Sequence, residues 1–393
     1  MNTQNTPIHP KLWHREFWLM AFANLLLSMA VYMLIPILPK YLMEVEGMST
    51  MQVGIVMGAY VIGLFALGPL CSWLITRYRR NRVCLFSVLL MALSFTLYTH
   101  AHQWLDIDTH DTFVYALYRF ILGVTFGLSQ MILCSTLIVD VSESFQRTEA
   151  NHSAAWFGRF ALSLGPMAAI LIDKWVAGGI YLVFDISFFM TLAGMILICM
   201  VKFPFKIPDE NVSVFSFDRF FLPSGWLLFM NLVLIMIVLG ILLTLNVNAH
   251  FYGMMMCGFF LALLSEKYVF ANVEPKREAI TGLVVMAIAI LILLARPEVF
   301  EYISPTFLGL GIGIIGSRFL LYFIQLSLHC QRGTSQSTFF LAWESGMGIG
   351  LFLGYVLFES SEQKIWCVLV LIVLSFLMYM FITHPWCMRH KHR

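Results

Sequence analysis

Gly68–Pro69–Leu70–Cys71–Ser72–Trp73–Leu74–Ile75–Thr76–Arg77–Tyr78–Arg79–Arg80–Asn81–Arg82 begins inside a long apolar run and ends in an arginine cluster. A second apolar run, Val83 to Thr99, follows at once. The pattern is that of a helix that leaves a bilayer, turns through a short basic loop and re-enters. Short loops rich in Lys and Arg resist translocation, so this turn is predicted to be cytoplasmic. One loop thereby orients the whole chain.

Composition extends that reading. Of the 393 residues, 60% are hydrophobic and only 12% charged, with a mean hydropathy of +0.83. Soluble domains carry about 25% charged residues, so the chain reads as an integral membrane protein. The first residues are polar, and the run from Phe17 is too long for a cleavable signal core and lacks a small-residue cleavage site. The eight cysteines lie in or beside apolar runs without pairing or metal spacing. They read as small apolar fillers, with no cofactor or metal assigned. The 24 methionines are likewise read mostly as core filler.

A spanning helix needs about twenty apolar residues. Twelve segments qualify: 17–39, 51–75, 83–99, 113–138, 150–172, 179–201, 225–245, 251–269, 280–295, 304–328, 338–357 and 365–383. An even number places both termini on one side. With the basic turn inside, 17 Lys and Arg fall on the cytoplasmic side and four (Lys40, Lys174, Arg296, Lys364) on the other. Both tails are therefore expected in the cytoplasm, in a cytoplasmic (inner) membrane protein. The basic tail from His384 to Arg393 reads as a contact for anionic lipid.

The polar, proline-containing stretch 203–223 divides the chain into a first half, 1–202, and a second, 224–393. The halves echo each other. Arg147 precedes Gly165 by eighteen residues, and Arg332 precedes Gly350 by the same distance. Gly123 and Gly127 have counterparts in Gly309, Gly311 and Gly313. Such echoes suggest a parallel repeat related by an axis along the membrane normal.

The basic turn resembles the signature loop between helices 2 and 3 of the major facilitator superfamily. Gly68, Arg77, Arg80 and Arg82 fall where that gating motif has them, while Thr76 stands where the family has an acid and Arg79 where it has a glycine. Two further stretches resemble the same family. Arg119, followed by Gly123 and Gly127, is similar to its helix-4 motif, in which the arginine is linked to proton coupling. The pair Gly165–Pro166 is similar to the antiporter motif that bends helix 5, with Met167–Ala168–Ala169 replacing the further glycines. The resemblance implies an all-α integral membrane protein: twelve transmembrane helices in two pseudo-symmetric six-helix bundles. It also implies a central site lined by helices 1, 4, 7 and 10.

Charge within the spans narrows the site. Arg119, Gly123, Gly127 and Gln130 share one helical face, and an arginine in hydrocarbon costs roughly 2.5–3.5 kcal/mol on insertion scales. Arg119 therefore faces a wet cavity or a partner, or else snorkels to the interface. An offset of 185 residues maps Gly165 to Gly350 and also Arg159 to Glu344. Arg159 and Glu344 are accordingly predicted to face a central cavity from equivalent depths; local pairing of each is the alternative. Arg318 and Gln325 share a face of the tenth segment, where Arg318 reads either as a cavity group or as a snorkelling one. Asn24 and Asn231 are lone amides of the first and seventh segments, open to ligand contact or to interhelical bonding.

The stretch His100–Asp111 carries three histidines and three aspartates without ligand spacing, which is also the composition of a solvated loop. No phosphate-binding P-loop is present, which disfavours ATP-driven transport by this chain alone. The expectation is a monomeric secondary transporter, neither an enzyme nor a nucleic-acid binder, moving a small molecule by alternating access with proton coupling. Efflux of amphipathic compounds is the first reading of cargo. Uptake of a sugar or organic acid is the second, favoured if several polar groups line the cavity. A non-transporting polytopic membrane protein is the alternative of a different class.

Overall fold

The computed structural model describes residues 11–105, 111–203, 213–245, 248–295 and 302–391. Among them, twelve helices are long and apolar enough to cross a membrane. They are α1 (Arg15–Glu44), α2 (Thr50–Arg77), α3 (Arg80–His100), α4 (Thr112–Asp140), α5 (Arg147–Trp175) and α6 (Gly179–Cys199), then α7 (Pro223–Leu242), α8 (Ala249–Tyr268), α9 (Pro275–Ala295), α10 (Ile303–Gln325), α11 (Arg332–Val356) and α12 (Ser361–His390). Each corresponds to one predicted segment, and the chain is an integral membrane protein.

The helices overrun the apolar segments at their polar ends. α11 begins at Arg332 because Gly333 to Ser337, although small or polar, is buried helix. Ser49, Asp111, Asn248 and Ser360 cap the starts of α2, α4, α8 and α12 with side-chain acceptors. These caps satisfy backbone donors that the next turn leaves open. Two helices are irregular in ways that matter for the site. α1 is interrupted at Met33, between Arg15–Tyr32 and Leu34–Glu44; Pro36 lacks the N–H that would bond the carbonyl of Tyr32. α4 contains a π-helical segment, Leu133–Leu137.

Packing repeats between the halves. α1 lies on α5 and α6, α2 on α4, and α3 on α4 and α6; α7 lies on α11 and α12, α8 on α10, and α9 on α10 and α12. Adding six to every label of the first set gives the second. Glycines set the closest approaches in matching places. A Cβ on Gly123 would lie 2.3 Å from the carbonyl oxygen of Tyr60 on α2, and one on Gly309 2.2 Å from that of Met255 on α8. Gly165 meets the carbonyl of Met29 on α1 and Gly350 that of Ile237 on α7, at 2.8 and 2.4 Å for the same hypothetical atom. Any side chain there would push two helices apart, as small-residue packing in membranes requires. The 185-residue offset is therefore a structural equivalence.

The two bundles meet where α2 packs on α11 and α5 on α8. At the side away from the termini, Gly54 and Gly58 receive Val356 and Phe352. At the terminal side, Gly333 of α11 presses on the carbonyl of Ser135 in the π segment.

Candidate functional site

Glu344 is the middle residue of α11, twelve residues from Arg332 and from Val356, or about 18 Å along the axis from either end. Its side chain is buried, with 1% of the residue exposed. The hydroxyl of Tyr32 donates to Oε1, and that of Tyr60 donates to Oε2 at 2.8 Å. Both tyrosines belong to the first bundle and the carboxylate to the second, so these bonds tie the bundles together at mid-depth. An ionised carboxylate only accepts, which suits two donating hydroxyls. A protonated carboxyl carries a donor on one oxygen, so one tyrosine must then turn away or accept.

Two cavities flank this carboxylate, and Tyr32 and Glu344 line both. The one nearer the terminal side holds about 430 Å³ of unfilled space between α1, α4, α5 and α11, lined by Asn24, Ser28, Gln130, Arg159, Gln336 and Trp343 among others. The other holds about 260 Å³ between α1, α2, α4 and α11, lined by Met57, Tyr60, Arg119 and Met347 among others. Arg159 is 2% exposed; its Nη1 donates to Ser317 Oγ at 2.7 Å, and its guanidinium lies 4.4 Å from the Trp156 ring centre. Gly316 makes room for it, since a Cβ there would sit 2.9 Å from Arg159 Nε. Arg119 is also 2% exposed and lies 4.7 Å from the Tyr60 ring centre. Each arginine thus rests on an aromatic face, which suits a desolvated guanidinium.

Arg159, Glu344, Arg119, Gln130 and Asn24 therefore surround one pair of chambers. Asn24 Nδ2 also donates to the carbonyl of Ala154 at 3.0 Å, and Gln130 Oε1 accepts from the Cys134 thiol. Asn231, Arg318 and Gln325 line neither chamber. Asn231 donates to the carbonyl of Ser375 on α12, and Arg318 pairs with buried Glu278 on α9. Together these two chambers are lined by α1, α2, α4, α5 and α11, whereas the resemblance implies a site lined by helices 1, 4, 7 and 10. α11 packs against α2 and the π segment of α4. Gly165 serves the α1–α5 contact, and Pro166 stands inside an unbroken α5.

The basic turn and the interbundle stretch form a second constellation. Arg80 pairs with Asp140 at the end of α4, 2.7 Å apart, while Arg77 and Arg82 are exposed. Thr76, standing in the place of an acid, bonds back to the carbonyls of Ser72 and Trp73. A carboxylate nevertheless reaches this end, from the linker. Asp218 accepts from Ser72 Oγ on α2 at 3.3 Å and from Thr334 Oγ1 on α11 at 3.1 Å. Arg219 donates its N–H to Thr334 Oγ1 and its Nη1 to the carbonyl of Ser135. Phe220 stacks over Gly68, where a Cβ would come within 2.1 Å of its ring. Arg219 has φ 60°, the one non-glycine residue with positive φ among those described; such a conformation costs about 1–3 kcal/mol and persists only when surroundings enforce it.

Sequence reasoning did not single out Tyr32, Tyr60, Gln336 or Asp218 as site residues. Tyrosines in apolar runs read as core, and only the nearby Pro36 hints that α1 is special at Tyr32. His152 and Glu266 also escaped notice. His152 Nε2 lies 2.9 Å from Glu266 Oε1 across the α5–α8 contact, and Glu266 Oε2 accepts from Ser317 Oγ at 3.2 Å. Of the histidine-rich stretch His100–Asp111, residues 106–110 lie outside the described residues, and the side chains of 101–105 are not described.

Solved structures similar to this chain include several transporters. The xylose transporter XylE from E. coli, in a partially occluded inward-open conformation, has a TM-score of 0.68 at 13% identity, covering 93% of this chain and 98% of its own. A bacterial homologue of the iron transporter ferroportin, outward-facing, has 0.66 at 13%, covering 96% and 100%. The E. coli fucose:proton symporter FucP has 0.65 at 14%, covering 96% and 98%. No curated protein sequence matches the chain. The family model of the Major Facilitator Superfamily matches residues 20–265, well over half the chain, and with twelve helices in two equivalent bundles this protein belongs to that superfamily of transporters.

Proposed function

We propose that this protein is a proton-coupled alternating-access transporter of a small polar solute, with Glu344 as the proton site. The observation that carries the proposal is the placement of Glu344: mid-depth, buried, between two chambers, and bonded from one bundle to two tyrosines of the other. Its protonation would remove a buried negative charge and weaken or reverse one interbundle bond, so the proton and the rocking of the bundles share one group. Residues 1–202 and 224–393 act as the rocking units, joined by 203–223, with both termini in the cytoplasm of a cell whose inner membrane holds the protein as a monomer among its lipids. The lining favours the second expected cargo over amphipathic efflux. Asn24, Ser28, Gln130, Arg159 and Gln336 in one chamber, set beside Phe339, Phe340 and Trp343, are the several polar groups that a solute permease uses. One protein of similar fold is a fucose:proton symporter.

The test is solute-evoked proton movement in liposomes that trap a pH-sensitive dye. Addition of the right solute outside should acidify the lumen. Failure of every solute class to move protons would overturn the reading.

The linker is proposed as the latch of the cytoplasmic side, with Asp218 supplying at the start of α11 the acid that Thr76 lacks. Cys134 lines the inner chamber and is buried, so it reports the latch. With exposed Cys199, Cys257 and Cys330 replaced by serine, an impermeant maleimide in inside-out vesicles should label Cys134 slowly. The double variant Asp218→Ala, Arg219→Ala should raise that rate about tenfold, equivalent to losing bonds worth about 1.4 kcal/mol in total. An unchanged rate would remove the linker from gating.

A further inference from the structure

We propose that the cargo is a small carboxylate anion, docked on Arg159 in one chamber and met by Arg119 in the other; this rests on the proton-coupled reading above. The two guanidiniums are buried charges with no carboxylate hydrogen-bonded to them among the described residues, since Glu266 reaches Arg159 only through Ser317. The hydrogen bonds of Glu344 go to Tyr32 and Tyr60 and to neither arginine. Arginine does not deprotonate in proteins, so each keeps its charge in the bilayer's interior. A buried charge of this kind calls for an anion as partner.

The free donors specify which anion. Arg159 gives Nη1 to Ser317, while Nε and Nη2 have no partner. Those two N–H groups point the same way from the planar guanidinium and form its side-on fork, which a carboxylate accepts through two parallel bonds. Gln336 Oε1, buried and without a partner in the same chamber, is an acceptor for a cargo hydroxyl. In the other chamber Arg119 leaves Nε and Nη1 without partners. These point to different sides of the guanidinium and make a looser station. An uncharged sugar would leave both guanidinium charges without an anion, and a lipophilic cation would be repelled.

The same charges explain symport. With Glu344 ionised, the chambers carry two positive groups and one negative. A cargo carboxylate entering then meets like charge at the middle of its path. Protonation of Glu344 removes that repulsion, so proton and anion favour each other's binding and travel in the same direction.

The experiment compares gluconate with glucose, which share a carbon skeleton and differ in the carboxylate, together with lactate and the tetraphenylphosphonium cation. Thermal unfolding of the purified full-length protein in detergent reports binding without transport. At least one of the two carboxylates should raise the wild-type Tm saturably, and glucose and the cation should not. In Arg159→Gln the shift should vanish, and proton-driven uptake of that carboxylate into liposomes should fall about tenfold or more. Arg159→Lys keeps the charge without the fork; it guards against a fold defect and should retain a weakened shift. The inference is overturned if neither carboxylate shifts Tm, or if the shift survives in Arg159→Gln. Proton-linked flux of glucose or of the cation alone would sink the anion inference and leave proton coupling standing. Absence of proton movement with all four would count against both.

Discussion

Glu344→Gln is expected to abolish accumulation against a gradient while leaving exchange of solute across the membrane. Glutamine keeps the volume and an acceptor for a tyrosine hydroxyl, but it cannot gain or lose a proton. Each unit of pH difference is worth a factor of ten, or about 1.4 kcal/mol, to a solute that moves with one proton. With a gradient of about 2 units, the wild type can sustain roughly 100-fold accumulation, and the variant should equilibrate at about 1. Counterflow of labelled against unlabelled solute needs only the rocking of loaded protein and should persist. Loss of counterflow together with accumulation would mean that Glu344 holds the fold or the cargo and does not handle the proton.

Arg318→Met is expected to strike stability and not the site. Glu278, its partner on α9, is 1% exposed, so the substitution strands a carboxylate among apolar helices. Breaking a buried pair by removing one member costs about 3–5 kcal/mol, whereas replacing both members is often close to neutral. The purified single variant should therefore unfold well below the wild type. The double variant Arg318→Met, Glu278→Leu should recover most of the loss and transport normally. A stable Arg318→Met protein without transport would return Arg318 to the cargo path.

The architecture was legible because hydrocarbon demands long apolar helices, and the arginine cluster after Ile75 marks one of their turns. The repeat was legible in glycines, since Gly165 and Gly350 are forced by the same backbone contact in each half. Arg159 and Glu344 stood out because charge in such runs is rare. Legibility ended where a polar group hides in an apolar one. The hydroxyls of Tyr32 and Tyr60 carry no signal in hydropathy, and only packing shows them to be aimed at Glu344. Asn231 and Arg318 stayed open between two readings for the converse reason, that a polar side chain inside a span can be satisfied by the neighbouring helix. The role of Asp218 could not be read from its position, because the bonds it makes to Ser72 and Thr334 exist only once both bundles are assembled.

Glu344 as the proton site of alternating access requires that the two chambers it lines open to opposite faces of the membrane. Cys134 lines one chamber and Met57 the other. Impermeant maleimide should be applied to native Cys134, and separately to Met57→Cys with Cys134 replaced by serine, in sealed vesicles of either orientation with the exposed cysteines removed. The account predicts that Cys134 reacts only from the side bearing the termini and position 57 only from the other. Reaction of both from the same face would contradict it.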